Sequence, residues 1–387
     1  MPNLIWHQKK YIMSLFNVYP LFDITPVKAA DVYVFDEKGT KYLDLYGGHA
    51  VISIGHSHPT YVKNISEQVA KMGFYSNSIQ NPLQVTLSKK LIALSGCKDY
   101  ELFLCNSGAE ANENALKLAS FHTNKKKVVA FKNGFHGRTS AAVAATDNPK
   151  IIAPINAQQE VEILQLGDLK GLEKALAKND VCAVIIEFIQ GVGGLDEANA
   201  AFYEGADALC KKYNTCFIAD EVQSGFGRTG DFFAFQKYNV TPDIIPIAKG
   251  MGNGFPIGGI LIHPNIKASF GLLGTTFGGN HLACIASLTV LNVIEEEKLM
   301  DNVKDVAAYF LEKAKHLPKL KKVKGRGLML GLEFDFPIAE IRKNLIYNHK
   351  IFTGSAKNPN VIRILPSLTV KKEHIDMFFE ALTKELV

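Results

Sequence analysis

The chain has 387 residues, of which 47% are hydrophobic, and its 43 Lys plus Arg against 38 Asp plus Glu give a formal net charge of +5. This composition is typical of a soluble globular protein, and the length suggests two or three domains at roughly 100–200 residues each. It excludes a peptide or a single small binding module. The short basic clusters are dispersed and favour solvated faces over a nucleic-acid site.

Nothing in the sequence predicts a membrane or secreted location. The most apolar run, residues 181–189, is too short to cross a bilayer and contains Glu187. Residues 6–8 are Trp, His and Gln, where a secretory signal needs an apolar core, so we predict a cytoplasmic protein. Met13 is a candidate start, which makes residues 1–12 an extension.

The six cysteines contain no C-x-x-C pair and are expected to be buried in a reducing compartment, and the histidine spacing predicts no metal site.

The predicted elements begin with a hairpin and continue with buried strands that alternate with helices. Strands are predicted at residues 32–35, 42–45, 101–105, 127–131, 181–186, 216–219, 244–248, 327–333 and 361–364. Helices are predicted at residues 109–121, 169–177, 200–213, 283–296 and 301–316, and from residue 371 onward. Buried runs separated by helices are typical of a largely parallel sheet covered on both faces, and therefore of the α/β class.

The chain contains no repeat and no disordered linker, so its parts are expected to pack together. We predict a large domain over residues 56–284. A small α+β domain would be formed by both chain ends, residues 1–55 and 285–387.

One motif predicts an anion site. The strand that ends at Cys105 runs through Ser107 and Gly108 into a helix, which leaves backbone N–H groups and a hydroxyl directed at one point. Such a turn suits a phosphate group. An equally good interpretation is that Ser107 merely caps its helix.

Two charged residues follow other buried strands. Asp220 ends one strand and needs a positive partner if it is buried, and Lys249 ends another, where desolvation can lower its pKa and make it a nucleophile. Either residue alone is better explained as part of a salt bridge. Together with the anion site, they meet the three requirements of pyridoxal 5′-phosphate, which are a phosphate cradle, a partner for the pyridine nitrogen and an amine.

With these motifs the chain resembles the class III aminotransferases of fold type I, and most closely the acetylornithine aminotransferases of arginine biosynthesis. The matching segments span nearly the whole chain from about residue 16, at residues 46–50, 55–59, 106–111, 135–139, 220–223, 249–250, 274–280 and 325–329. They are specific to the class and less specific for the substrate. The resemblance implies a large domain with a mostly parallel seven-stranded sheet, a small α+β domain, and a homodimer with shared active sites.

The resemblance also implies a role for each residue that would touch the cofactor ring. Lys249 would hold the cofactor covalently and shuttle a proton between the substrate and the cofactor. Asp220 would keep the pyridine nitrogen protonated. Phe135 and Val222 would lie on the two faces of the ring, and Gln223 would approach its phenolic oxygen.

By the same resemblance Ser107, Gly108 and Ala109 would bind the phosphate. Thr276 would reach that phosphate from the neighbouring subunit, and Thr275 would contact substrate. The alternative for both threonines is a simple turn before two glycines.

Two arginines match substrate-binding residues of the family. Arg138 would clamp the α-carboxylate with its planar fork, and Arg363 would receive a carboxylate of 2-oxoglutarate or glutamate. Glu187 also belongs to the substrate-binding set. Relatives usually carry Gln-Gly-Glu-Gly after the strand that ends there, with the second Glu able to mask the second arginine. Here Val192 replaces that carboxylate, so Arg363 should stay available in both half-reactions.

The sequence therefore predicts an enzyme that moves the δ-amino group of N2-acetyl-L-ornithine, or of N2-succinyl-L-ornithine, to 2-oxoglutarate. The alternatives are an ornithine or 4-aminobutyrate aminotransferase, a mutase or decarboxylase that uses the same cofactor, or a non-catalytic cofactor-binding protein. The glycine spacing disfavours a nicotinamide dehydrogenase.

Overall fold

A computed structural model describes residues 15–387; the predicted extension at residues 1–12 lies outside the described residues. The strands are β1 (Pro26–Ala30), β2 (Tyr33–Asp36), β3 (Lys41–Asp44), β4 (Glu101–Cys105), β5 (Lys127–Phe131), β6 (Val161–Leu164), β7 (Val181–Ile186), β8 (Cys216–Ala219), β9 (Ile244–Ile247), β10 (Gly258–Ile262), β11 (Leu320–Arg326), β12 (Met329–Phe334), β13 (Ile351–Phe352), β14 (Gly354–Ser355) and β15 (Val361–Ile364). The longer helices are α1 (Pro59–Lys71), α2 (Pro82–Ser95), α3 (Gly108–Thr123), α4 (Ser140–Ala144), α5 (Leu169–Leu176), α6 (Ala200–Lys212), α7 (His281–Glu296), α8 (Leu299–Ala314), α9 (Ala339–Tyr347) and α10 (Lys372–Leu386).

A seven-stranded sheet forms the centre of the molecule. Its strand order is β4-β10-β9-β8-β7-β5-β6, and β10 runs antiparallel to both of its neighbours while the pairs from β9 to β6 are parallel. Every residue of β7, β8 and β9 is buried, as expected for parallel strands covered on both faces. The predicted α/β class and mostly parallel seven-stranded sheet are confirmed.

The two chain ends meet in smaller sheets. Strand β13, from the C-terminal part, pairs parallel with β3, which extends the predicted N-terminal hairpin of β2 and β3. A further four-stranded sheet has the order β11-β12-β15-β14. We propose a division into residues 1–55, 56–284 and 285–387 on this basis. The proposed boundary between residues 284 and 285 falls within helix α7, which packs on α1 and α2.

The sequence did not predict several of these strands and helices, because their hydrophobic patterns are weak. Strand β10 begins with two glycines, which lack side chains that mark a strand, and α1 has no buried residue. The six cysteines are all free and buried, which confirms their predicted placement. Over residues 15–387, the longest and most apolar helices fall short of what a membrane span requires.

Candidate active site

Three adjacent parallel strands deliver three charged residues to one edge of the central sheet. Glu187 follows β7, Asp220 follows β8, and Lys249 lies two residues beyond β9. Because these strands are parallel neighbours, their carboxyl ends lie side by side, where open α/β sheets bind ligands. The three side chains line a cavity of about 220 Å³, together with Gly108, Ala109, Asn112, Phe135, His136, Gly137, Arg138, Val222 and Gln223.

Asp220 lies at the floor of this cavity and is 4% exposed. Its Oδ2 accepts hydrogen bonds from His136 Nδ1 at 2.7 Å and from Asn112 Nδ2 at 2.8 Å, and its Oδ1 accepts from the Val222 backbone N–H at 3.0 Å. A buried carboxylate needs such partners to stay ionised. Within the protein, His136 is a partner of Asp220 that the sequence did not assign.

The His136 ring is almost completely buried. Burial alone would lower its pKa, but the hydrogen bond and negative charge of Asp220 outweigh that effect, and the pKa is raised. Asn112 Nδ2 also donates to the His136 carbonyl at 2.7 Å and fixes this segment. His136 lies inside the matching segment at residues 135–139, and Asn112 directly follows the one at residues 106–111. Their proximity to Asp220 depends on tertiary contacts.

Lys249 begins a short 3-10 turn, with a positive backbone φ of 48°. A left-handed conformation is uncommon for a residue with a side chain and often marks a functional site. Burial lowers the pKa of Lys249, the charge of Arg363 adds to this, and the negative charges of Asp220 and Glu187 oppose it. The direction agrees with the predicted amine nucleophile.

Glu187 is held in the cavity wall by backbone groups. Its Oε1 accepts from the Phe135 N–H at 2.8 Å and its Oε2 from the Gly191 N–H at 3.1 Å. Burial raises the pKa of Glu187 to about 7, and the charge of Asp220 adds to this while His136 opposes it. The residue thus fixes the position of Phe135, and its raised pKa lets it hold a proton over a wider pH range than an exposed glutamate.

The N-terminus of α3 faces the same cavity. Ser107 caps the helix, because its Oγ accepts from the Glu110 N–H at 3.2 Å, but the hydroxyl proton is left free to donate. Capping and anion binding are therefore compatible. A Cβ at Gly108 would lie 2.5 Å from Val222 Cγ1, so only glycine allows α3 and Val222 to approach so closely.

A buried polar atom in the wall lacks a partner among the described residues. Gln223 Nε2 donates to the His49 carbonyl at 3.3 Å, whereas Gln223 Oε1 is buried without a hydrogen bond. A Cβ at Gly191 would lie 1.7 Å from this oxygen. An unpartnered acceptor, a helix N-terminus, an ionised aspartate and a desolvated lysine match the polar groups of pyridoxal 5′-phosphate, so the residues present fit this cofactor.

The two predicted arginines occupy different environments. Arg138 is exposed at the mouth of the Lys249 cavity, whereas Arg363 is 4% exposed on β15. The Arg363 guanidinium donates to the Ser355 carbonyl at 2.5 Å, to the Gly191 carbonyl at 2.9 Å and to the Tyr46 hydroxyl at 2.9 Å. All three partners are neutral, and burial lowers the pKa of Arg363. Its charge is thus uncompensated at short range within residues 15–387.

The two threonines lie away from this cavity. Thr275 Oγ1 accepts from the Gly278 N–H at 3.0 Å, which is the turn interaction considered above, and Thr276 is exposed. Neither residue lines the Lys249 cavity of its own chain. Of the predicted site residues, Ser107, Arg363 and the two threonines do not line this cavity, and the other nine do.

Comparison with known proteins agrees with this arrangement. The sequence profile described as aminotransferase class-III matches residues 17–386. The chain belongs to the class-III aminotransferases. As such it is an aminotransferase that depends on pyridoxal 5′-phosphate.

Two relatives of this class-III aminotransferase illustrate the similarity. The acetylornithine aminotransferase of Aquifex aeolicus is 40% identical, with 96% of this chain and 99% of that protein covered. The acetylornithine/succinyldiaminopimelate aminotransferase of Buchnera aphidicola is 35% identical, with 97% and 96% covered. In structure, the ornithine aminotransferase of Toxoplasma gondii matches with a TM-score of 0.90 and 26% identity over 99% of this chain and 94% of that chain. A second structure of that enzyme is described with pyridoxal 5′-phosphate at partial occupancy.

Proposed function

We propose that this aminotransferase moves the δ-amino group of an N2-acylated L-ornithine to 2-oxoglutarate, as a step of arginine biosynthesis. The products are an N-acylglutamate 5-semialdehyde and glutamate. The observation that carries the proposal is the buried and uncompensated Arg363 near Lys249, since both the acceptor and an acylated donor bring carboxylates to the site. The names of the relatives support the acetyl compound and, in one case, a succinylated amine.

We propose that the residues around the cavity have separate roles in binding the cofactor and in moving protons. When bound, pyridoxal 5′-phosphate supplies an electron sink that stabilises the charge left as a substrate carbon loses its proton. Lys249 Nζ would hold the cofactor covalently, and the same amine would move a proton at Cδ of the donor. Asp220, held by His136, keeps the ring nitrogen protonated.

Other residues position the ring and its phosphate. Phe135 and Val222 would lie on the two faces of the ring, and Gln223 would approach its phenolic oxygen. The phosphate is bound by residues at the start of α3, namely Ser107, Gly108 and Ala109.

The two arginines and Glu187 select the substrates. Arg138 at the cavity mouth binds the α-carboxylate of the donor, which leaves the distal amine near Lys249. Arg363 binds a carboxylate of 2-oxoglutarate or glutamate. Glu187 holds the wall between them through Phe135 and Gly191.

We propose a homodimer in which Thr276 of one subunit completes the phosphate site of the other and Thr275 contacts substrate. The loop that carries these threonines also carries Phe277, which is 60% exposed and packs at a tilt against Phe74, with 5.3 Å between ring centroids. Exposed aromatic pairs are typical of surfaces that bind another chain. Phe277→Asp should shift the protein towards monomers in sedimentation and weaken cofactor binding. Phe121→Asp, which changes an exposed ring on α3, should do neither.

The proposed transfer can be tested in two stages. Holoenzyme is mixed with N2-acetylornithine or N2-succinylornithine without an acceptor, and the semialdehyde is measured. About one semialdehyde per active site is expected, because the amino group stays on the enzyme until 2-oxoglutarate is added. Glutamate should then appear in the same amount. Continuous turnover without an acceptor would instead indicate a mutase or decarboxylase. The cytoplasmic location stays a prediction.

A further inference from the structure

A second and larger cavity adjoins the Lys249 cavity. Its volume is about 1020 Å³, and its wall includes Tyr46, His49 and Arg342. One contact joins the walls of the two cavities, because the His49 carbonyl of the larger cavity accepts from Gln223, which lines the Lys249 cavity. The Tyr46 hydroxyl of the larger cavity also accepts from Arg363. An acyl group on a substrate whose amine reaches Lys249 would therefore extend towards the larger cavity and Arg342.

Arg342 is a second cation that lacks a carboxylate partner in the described part of the chain. It lies on α9, where its Nε donates to the Thr353 carbonyl at 2.9 Å and its guanidinium lies 5.3 Å from the centroid of the Phe22 ring. Neither contact neutralises its charge. The two terminal amino groups of the guanidinium have no hydrogen-bond acceptor among residues 15–387, so they are free to bind one carboxylate as a fork.

The charges around Arg342 favour an incoming anion. Burial lowers the pKa of Arg342, and the nearby charge of Arg363 lowers it further, while Tyr46 opposes these effects. The same wall contains Asp44, but its oxygens already accept from the His56 ring and from the backbone N–H groups of residues 46 and 47. Arg342, in the cavity wall near the charge of Arg363 and without a free carboxylate partner, is stabilised when a ligand supplies one.

We propose that Arg342 binds the free carboxylate of a dicarboxylic acyl group, so that the preferred donor is N2-succinyl-L-ornithine rather than its acetyl counterpart. This inference rests on the proposed function and specifies its acyl group. N2-succinylornithine carries a second carboxylate at the end of the molecule opposite its reacting amine. The cation that binds this second carboxylate must lie outside the Lys249 cavity, and Arg342 does. An acetyl group would leave this cation unpaired.

Binding to unreactive donor analogues tests the proposal without relying on turnover. N2-succinyl-L-norvaline and N2-acetyl-L-norvaline lack the δ-amine, and their dissociation constants can be measured by calorimetry with holoenzyme. Wild-type protein should bind the succinyl analogue at least about 10-fold more tightly. Arg342→Met should remove this preference, while affinity for the acetyl analogue changes by less than about 3-fold. Arg342→Lys keeps the charge but loses the fork, and should retain part of the preference.

Lys28→Met is the matched control, because Lys28 is an exposed cation at the edge of the same cavity. It should leave both dissociation constants unchanged. Equal affinities of the wild-type protein for the two analogues would overturn the proposal, as would equal weakening of both by Arg342→Met in a protein that stays folded by circular dichroism. If the wild-type protein transfers an amine from neither acylornithine, it is the proposed function that fails. The binding preference is still decided by the calorimetry.

Discussion

His136 Nδ1 lies 2.7 Å from Asp220 Oδ2, and both side chains are almost fully buried beneath Lys249. The carboxylate can only accept, so the imidazole donates this hydrogen bond, and the raised pKa of His136 favours the doubly protonated ring. The Asp220 carboxylate is thus held at the cavity floor by His136 and not by a salt bridge to Lys249. The lysine is thereby left free for other chemistry.

We predict that His136→Asn lowers kcat by about 10- to 100-fold, the range expected for loss of one charge-assisted hydrogen bond. KM for the donor should change much less, because the His136 side chain contacts Asp220 and not an arginine that binds a carboxylate. Steady-state kinetics separates the two effects. A KM increase with unchanged kcat would show that the histidine only shapes the cavity.

We predict that Lys249→Ala removes the visible absorbance of the lysine-bound cofactor and nearly all turnover. Loss of the proton carrier alone is worth about 10²- to 10⁴-fold in rate. Lys89→Ala, which changes an exposed lysine on α2, should behave as wild type. Transamination at the wild-type rate by the Lys249 variant would refute this assignment.

The fold was largely predictable from the sequence because the central strands are short apolar runs of distinctive length. The predicted bounds of β4, β5, β7 and β8 agree with the structure. Strand β10 was not predictable in this way, because Gly258 and Gly259 carry no strand signal and its pairing with β4 is long-range.

We predict that Val192→Glu selectively penalises the succinylated donor. The Gly191 carbonyl already accepts from Arg363, so a carboxylate on the next residue would lie near that guanidinium and could mask it. The ratio of kcat/KM for N2-succinylornithine to that for N2-acetylornithine should fall by about 10-fold, a typical cost of like charge near a binding site. Val192→Gln is the neutral control. Equal effects of both variants on both donors would contradict the masking argument.

We predict that Glu187→Gln changes how stability depends on pH. The pKa of Glu187 is raised by burial from 4.5 to about 7, so between these values the native protein keeps a proton that the unfolded chain releases. Wild-type stability is therefore lost as pH rises through this window, by about 2–3 kcal/mol. The free energy of unfolding, measured in urea at pH 5 and pH 8, should fall less for the variant than for wild type, and the difference between the two proteins should change by this amount. A pH-independent difference would contradict the raised pKa.

The candidate site was predictable where a motif ends a buried strand, as at Asp220 and Lys249. The residues that the sequence did not assign act through tertiary contacts. His136 and Asn112 reach Asp220 from different elements, and Tyr46 reaches Arg363 across more than three hundred residues of chain. Such pairs follow from how elements distant in the chain pack together, which a single sequence does not reveal.

The central claim is that an N2-acylated ornithine is the amine donor. It is tested most directly by measuring kcat/KM for N2-acetylornithine, N2-succinylornithine, ornithine and 4-aminobutyrate, with 2-oxoglutarate as acceptor and glutamate as the measured product. The account predicts that an acylated ornithine gives the highest value. A higher value for free ornithine or 4-aminobutyrate than for both acylated compounds would contradict it.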